Sequence, residues 1–224
     1  MKLSQLADIH QGETIWVFGS GATVQFLDPA FFDDKVCVAT NLITEHFSIK
    51  RFYQFTHYHP AVKRVLGDPG LVTAVTHDLC STRWSGQLHY GEGEWCFGNS
   101  PPENVVINTL TQTEPLGSSW DPARHNRKDE LAFGSSSIHG SIHLAAHMGA
   151  KHIVLVGADC GTIDHMHRVE GYPAGHTPWQ LYNNHLIAMK RWIGDTYGAT
   201  VYSLNPFVNF NLEGHTFQGV NNDS

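Results

Sequence analysis

Residues 141–159 read SIHLAAHMGAKHIVLVGAD and indicate the fold class more clearly than any other segment of the chain. Its first part, residues 141–148, predicts a helix, and Gly149 is suited to end it because glycine readily adopts the left-handed conformation of a helix C-cap. The apolar run at 153–156 is too short for a helix and predicts a buried strand that ends at Gly157. A helix that leads directly into a buried strand is typical of an α/β fold.

Further apolar runs extend this pattern along the chain. Residues 181–197 predict a long helix, and strands are predicted at 14–18, 36–40, 51–55, 71–75, 105–107 and 200–204. Continuous apolar strands that alternate with helices indicate a doubly wound, mostly parallel Rossmann-like sheet. Residues 79–127 are rich in Gly, Pro, Ser, Trp and Asn, and we expect a loop-rich insertion or small lid there. The whole chain, 1–224, is then one α/β domain.

The composition narrows the classes of function. The chain has 14 Lys+Arg against 21 Asp+Glu, and this acidic balance argues against a nucleic-acid-binding protein, although it leaves a modified base open as an acceptor. No apolar run approaches the roughly 20 residues of a membrane span, and the first residues, MKLSQLADIH, lack the apolar stretch of a signal peptide. We therefore expect a cytoplasmic protein. The four scattered cysteines fit neither a zinc ribbon nor a disulfide scaffold.

The predicted sheet also predicts where a ligand binds. In doubly wound sheets the ligand lies outside the carboxyl ends of the strands. The segments that follow predicted strands are therefore expected to face one crevice: residues 19–23, Asn41, residues 56–59 and residues 157–159.

The first of these segments is a glycine-rich turn. Gly19, Ser20 and Gly21 follow the strand at 14–18, so that the backbone is able to approach a ligand closely and the amides are able to hold an anion. Val24 stands where the dinucleotide fingerprint has its third glycine, and the chain has no Walker lysine, which argues against a nicotinamide cofactor. The alternative is a turn that is merely tight.

Two further positions suit an anion or a sugar. Ser136 and Ser137 belong to a serine cluster before the predicted helix, where hydroxyls and free helix amides suit an anionic group; the alternative is that one serine is only an N-cap. Asp159 ends a strand at the ligand edge, where a carboxylate accepts hydrogen bonds from ribose or sugar hydroxyls or holds a divalent metal. Its alternative role is to cap the next turn.

Histidine is abundant, with 16 residues. His139, His143 and His147 are spaced by four, which favours a stripe that borders the packed face of a helix, with metal binding as the alternative. Asp164, His165 and His167 form a second cluster, which is suited to a metal or a leaving phosphate but equally to a solvated loop. His176 lies in a loop before the last helix, where its ring is able to act as a general base near neutral pH.

The sequence resembles a Rossmann-like group of proteins at three places: the strand that leads into the GSGAT turn at 19–23, the strand that ends at Asn41, and AHMGAKHIVLVGAD at 146–159. The group includes bacterial lipooligosaccharide sialyltransferases and archaeal pterin diphosphokinase-like (DUF115) proteins, and the resemblance covers residues 15–41 and 135–206. It implies a general base at His176. It implies nucleotide or donor binding by eight residues: Gly19, Ser20, Gly21, Asn41, Ser136, Ser137, Gly157 and Asp159.

The sequence departs from the group at two places. The first turn is GSGAT rather than G-x-G-P-S, and no tyrosine follows Asp159 until Tyr172, so that the tyrosines that stabilise a leaving phosphate in the sialyltransferases are missing. His165 or His167 is the available substitute. The resemblance therefore does not identify the sugar of the donor.

These observations favour a nucleotide-dependent transferase, with a glycosyltransferase as the leading hypothesis. It would move a sugar from a nucleotide-activated donor to a glycan or small-molecule acceptor and would require no cofactor. One alternative is an ATP- and Mg²⁺-dependent diphosphokinase in which Asp159 and Asp164 hold the metal. Another is a non-catalytic nucleotide-binding protein. The donor, the acceptor and the oligomeric state are left open.

Overall fold

The chain forms a doubly wound α/β sheet, as the sequence predicts. The structure is a computed structural model that describes residues 1–56, 62, 64–77, 83–84, 87–88, 102–108, 121–125, 130–132, 136–158 and 179–204. The strands are β1 (Thr14–Phe18), β2 (Val36–Thr40), β3 (Phe52–Phe55), β4 (Leu71–His77), β5 (Arg83–Trp84), β6 (Gln87–Leu88), β7 (Val105–Asn108), β8 (His152–Val156) and β9 (Thr200–Leu204). Two helices have both ends within the described residues, α1 (Ser137–His147) and α2 (Trp179–Tyr197), and residues 62, 64 and 65 are also helical.

Seven of the strands form one parallel sheet in the order β7-β4-β3-β2-β1-β8-β9. The chain moves outward from β1 to β7 on one side and then returns to place β8 and β9 on the other side. The strand order therefore reverses between β1 and β8, and in such sheets this switch point is where a ligand crevice opens. The strands β5 and β6 pair separately as an antiparallel hairpin.

Both faces of the sheet are buried, which is why its strands are continuously apolar. Along β1, Ile15 and Val17 face the layer formed by α1 and α2, whereas Trp16 and Phe18 face the opposite layer. Short 3₁₀ helices contribute to that opposite layer, and Phe32 from one of them, Pro29–Phe32, makes edge contacts with Trp16 and Phe18 at ring-centroid distances of 5.4 and 4.9 Å.

The orientation of α1 brings its N-terminus to the ligand edge. At its C-terminal end, the carbonyl oxygens of His147 and Met148 accept the amides of Asp8 and His10, which precede β1 and so lie at the amino edge of the sheet. The N-terminal turn of α1 therefore lies at the carboxyl edge, near the end of β2, where the hydroxyls of Thr40 and Ser141 are 2.7 Å apart.

The helix begins at Ser137 rather than at the predicted residue 141, and the reason is a contact with the sheet. Gly140, which argues against a helix locally, lies directly on the ring of Phe55, and a Cβ atom there would be 2.2 Å from Phe55 Cζ. The glycine is accommodated within the helix because only a residue without a side chain lets α1 lie this close to β3.

The predicted insertion and the expected lack of a membrane span are tested only where the structure describes the chain. Much of the predicted insertion at 79–127 lies outside the described residues, so the lid and the single domain stay predictions. In the part of the chain that the structure describes, no helix has the length and apolar character needed to cross a membrane.

Candidate functional site

The turns after β1 and β8 are joined at the switch point. The Gly19 amide donates to the Val156 carbonyl oxygen at 2.7 Å, and the Gly21 amide donates to the Gly157 carbonyl oxygen at 2.8 Å. Gly157 has φ +65°, and a Cβ atom there would be 2.6 Å from Val24 Cγ1. A Cβ atom at Gly19 would be 2.6 Å from the Gly157 oxygen. Packing between the two turns therefore requires both glycines.

The two hydrogen bonds between the turns reduce the number of backbone amides that the first turn is able to offer to an anion. The amides of Gly19 and Gly21 are already donated within the fold. Ser20 lies between them and is half-buried, and none of the described residues accepts its amide. A ligand at this turn is therefore expected to contact Ser20, while the nucleotide-binding roles of Gly19, Ser20 and Gly21 stay predictions.

Asn41 is fixed at the end of β2 in the left-handed conformation, with φ +54°. Its amide donates to the Phe55 carbonyl oxygen at 3.1 Å, its own carbonyl oxygen accepts from Gln54 Nε2 at 2.6 Å, and its Oδ1 accepts from Thr56 Oγ1 at 2.9 Å. Asparagine tolerates this backbone conformation better than most residues. No described residue accepts a hydrogen bond from the Nδ2 group of Asn41, so that this side-chain group remains a donor at the carboxyl edge.

The N-terminus of α1 supplies further polar groups at the same edge. Ser136 is the N-cap, with extended backbone angles of φ −151° and ψ 151°. Its amide donates to Nδ1 of His139 at 3.1 Å, so that the histidine occupies the place of the Glu or Gln of a capping box. Ser137 is buried, and its carbonyl oxygen accepts the Ser141 hydroxyl at 3.1 Å. The predicted serines thus lie on the first turn of α1.

The capping role of His139 does not follow from its place in a histidine stripe, although the spacing Ser-x-x-His matches the Ser-x-x-Glu spacing of a capping box. The signal was present in the sequence, but histidine is not the usual residue at that position.

The three histidines of α1 contact protein groups. Nδ1 of His143 accepts the Ala132 amide at 2.6 Å, so its Nε2 carries the proton and donates to the Tyr197 hydroxyl at 2.7 Å. Burial raises the pKa of that tyrosine. Nε2 of His147 donates to the Leu3 carbonyl oxygen at 2.9 Å. These contacts agree with a stripe that borders the packed face, and within the described residues no three His, Cys, Asp or Glu side chains are grouped as metal ligands.

Several predicted site residues lie outside the described residues: Asp159, Asp164, His165, His167, His176 and residues 57–59. The structure brings the other predicted segments, at Ser20, Asn41, Ser136–Ser137 and Gly157, to one edge of the sheet. The roles of all these residues in binding or catalysis stay predictions.

No protein-family model and no curated protein matches this sequence. Among solved structures, the chain is similar to the sialyltransferase CST-II in complex with a trisaccharide acceptor and CMP. The identity is 11% and the TM-score 0.51, over 87% of this chain and 82% of that chain. A variant of CST-II in complex with CMP gives 12% identity and a TM-score of 0.50 over the same shares. The MAf glycosyltransferase from Magnetospirillum magneticum AMB-1 gives 15% identity and a TM-score of 0.47, over 89% of this chain and 34% of that chain. At these identities the CST-II likeness concerns the fold, and no family model supports the DUF115 part of the resemblance.

Proposed function

We propose that this chain is a nucleotide-dependent transferase, and specifically a glycosyltransferase that moves a sugar from a nucleotide-sugar donor to an acceptor hydroxyl. The observation that carries the proposal is that three polar groups converge at the edge where the strand order reverses. They are the turn at Ser20, the side-chain Nδ2 group of Asn41 and the first turn of α1. The likeness to CST-II in fold supports the choice of CMP as the first nucleotide to test.

Each of the three groups suits a phosphate or a nucleotide. Ser20 offers an amide and a hydroxyl, Asn41 offers an Nδ2 donor, and Ser136 and Ser137 lie on the first turn of α1, at the positive end of the helix dipole. Gly157 lets the two turns approach each other, and Asp159 lies two residues further along the chain, where its carboxylate is proposed to accept hydrogen bonds from donor hydroxyls.

The proposed reaction uses a histidine base. His176 takes the proton of the acceptor hydroxyl, the acceptor oxygen bonds to the anomeric carbon, and the bond from that carbon to the nucleotide phosphate breaks. The nucleotide leaves with the bonding electron pair, and His165 or His167 donates a hydrogen bond to the leaving phosphate, whereas Asp164 would contact it only through a metal. This chemistry requires no cofactor.

A nucleotide-binding panel tests the proposal. Melting temperatures are measured with CMP, UDP and GDP in the absence of metal, and with ATP in the presence and absence of Mg²⁺. A nucleotide that binds only the folded chain raises the melting temperature by mass action, and we expect CMP to do so without metal. Stabilisation by ATP only with Mg²⁺ would support the diphosphokinase alternative, with Asp159 and Asp164 as metal ligands. No stabilisation by any nucleotide would contradict both enzymes.

Two variants locate the binding site. Asn41→Gly keeps a residue that adopts φ +54° and removes the Nδ2 donor, so we expect a CMP Kd weaker by about tenfold. Thr56→Val is the matched control, because it removes the same Thr56–Asn41 hydrogen bond and keeps the Nδ2 group. It is expected to lower the melting temperature and to weaken the CMP Kd less than Asn41→Gly does, because the Nδ2 donor is still present. His176→Ala tests the base: it should still bind CMP but lose transfer from a CMP-activated sugar.

A further inference from the structure

Gln54 is a polar residue in the interior of the sheet, and its side chain is fully buried. Its neighbour Phe55 packs against α1, so Gln54 points to the opposite face. Its register partners on β2 and β4 are both alanines, Ala39 and Ala74, which leave room for the longer side chain. The Nε2 group of Gln54 donates to the carbonyl oxygen of Asn41, at the end of β2, at 2.6 Å.

The other amide atom of Gln54 is unpaired. Its Oε1 is buried and has no hydrogen-bond partner among the described residues. An unpaired buried oxygen costs stability, and an apolar side chain of the same length would avoid that cost. The hydrogen bond to Asn41 is therefore the property that distinguishes a glutamine from an apolar residue at this position.

Asn41 is held at three points in a backbone conformation that is costly for a residue with a side chain, with φ +54°. Its amide donates to the Phe55 carbonyl oxygen, and its Oδ1 accepts from Thr56 Oγ1. The hydrogen bond from Gln54 fixes its carbonyl oxygen, and with it the peptide group that follows Asn41. Because Oδ1 is turned toward Thr56, the Nδ2 group lies on the other side of the side-chain amide.

We propose that Gln54 is a positioning residue for the nucleotide site. By holding the Asn41 carbonyl oxygen it keeps Asn41 in the left-handed conformation, so that the Nδ2 group stays directed at the ligand edge. Gln54 has no exposed surface, so it acts through Asn41 and does not contact the nucleotide. This inference rests on the proposed function, which assigns nucleotide binding to the Nδ2 group.

Gln54→Met tests the proposal because it keeps the length of the side chain and removes both amide atoms. The exchange loses one hydrogen bond but also removes one unpaired buried oxygen, two effects of similar size and opposite sign. We therefore expect the melting temperature of Q54M to stay within about 3 °C of the wild type, whereas its CMP Kd, measured by isothermal titration calorimetry, weakens by about fivefold.

A double variant tests whether Gln54 acts through Asn41. Asn41→Gly removes the Nδ2 group, and glycine adopts the left-handed conformation without support from Gln54. In that background Gln54→Met should cause no further weakening, so that the double variant binds CMP as N41G does. Independent roles would multiply the two fold-changes.

Thr76→Val is the matched control. Thr76 is also fully buried, and in the part of the chain that the structure describes its hydroxyl likewise has no hydrogen-bond partner. The variant removes an unpaired buried oxygen and leaves the contact between Gln54 and Asn41 intact. T76V should melt no lower than the wild type and bind CMP equally well.

The outcomes distinguish this inference from the proposed function. If Q54M binds CMP as tightly as the wild type, or if its effect persists in the N41G background, Gln54 does not position Asn41, although the nucleotide site itself stands. A melting temperature of Q54M far below that of the wild type, or an equal loss of affinity in T76V, would show a structural role and would overturn the inference as well. If the wild type binds no CMP, the proposed function fails, and the inference fails with it.

Discussion

The carbonyl oxygen of Gly157 accepts the amide of Gly21 at 2.8 Å and thereby joins the two turns at the switch point of the sheet. A side chain at Gly157 would collide with Val24 and with the oxygens of Gly19 and Gly21, at distances of 2.6, 2.9 and 3.1 Å. The glycine is therefore required by packing as well as by its positive φ.

Gly157→Ala is expected to destabilise the fold strongly. The methyl group adds the strain of the left-handed conformation to a backbone collision, and together these should cost about 2–4 kcal/mol of unfolding free energy. Gly198→Ala is the matched control, because Gly198 has nearly the same φ, +66°, and open space where the methyl group would lie. Urea denaturation should give about 1 kcal/mol for Gly198→Ala. Equal losses in the two variants would show that only the backbone conformation matters at Gly157.

The strands and the ligand edge were predictable because they depend on local patterns. A continuous apolar run such as Thr14–Phe18 indicates a buried strand wherever it lies in the sheet, and its carboxyl end then marks the ligand edge. The sequence alone therefore predicted that the segments at Ser20, Asn41 and Gly157 share one edge. The start of α1 was wrong by one helical turn, because Gly140 is accommodated only by its contact with Phe55, which is distant in the sequence.

The hydrogen bonding of the site was not predictable in the same way. The Gly-Ser-Gly turn suggested free amides, but the amides of Gly19 and Gly21 are donated to Val156 and Gly157, more than a hundred residues away in the sequence. Likewise, the sequence identifies Asn41 as a residue that follows a strand, but only the pairing of β2 with β3 shows that Thr56 is its partner.

A buried hydroxyl pair couples α1 to β2, and a double-mutant cycle should detect it. Ser141 Oγ donates to the Ser137 carbonyl oxygen, so Thr40 is the donor in the 2.7 Å contact between Thr40 and Ser141. Thr40→Val and Ser141→Ala should each cost about 1–2 kcal/mol, and the double variant should cost about 1 kcal/mol less than their sum. Strictly additive losses in urea denaturation would contradict the coupling.

Cys37 should make stability fall at alkaline pH. Burial raises the pKa of its thiol to about 12, whereas the thiol of the unfolded chain ionises near about 8.5. Between these values the folded chain keeps a proton that the unfolded chain loses, so the stability contributed by this group is complete at low pH and is lost as pH rises. By pH 10 the loss should be about 2 kcal/mol.

Cys37→Ala isolates this contribution. Tyr53 and Tyr197 also have pKa values raised by burial, but they are present in both proteins and cancel in the comparison. We expect the free energy of unfolding, measured from pH 7 to pH 10, to fall more steeply for the wild type than for the variant. Parallel pH profiles would show that Cys37 ionises as readily in the folded chain as in the unfolded one.

The contact between Gly140 and Phe55 sets how closely α1 lies on the sheet, and a compensating pair of variants tests it. Gly140→Ala improves helix propensity by about 1 kcal/mol, but its methyl group would lie 2.2 Å from Phe55 Cζ. The collision should dominate and leave a net loss of about 1–3 kcal/mol. Phe55→Leu removes the ring edge, so the Gly140→Ala/Phe55→Leu double variant should be at least about 1 kcal/mol more stable than the sum of the two single losses predicts.

Because the N-terminal turn of α1 moves with Gly140, the same comparison should appear in the CMP Kd, which is expected to weaken in Gly140→Ala and to recover in part in the double variant. If Gly140→Ala is as stable as the wild type and binds CMP equally well, the close approach of α1 to β3 does not constrain the site.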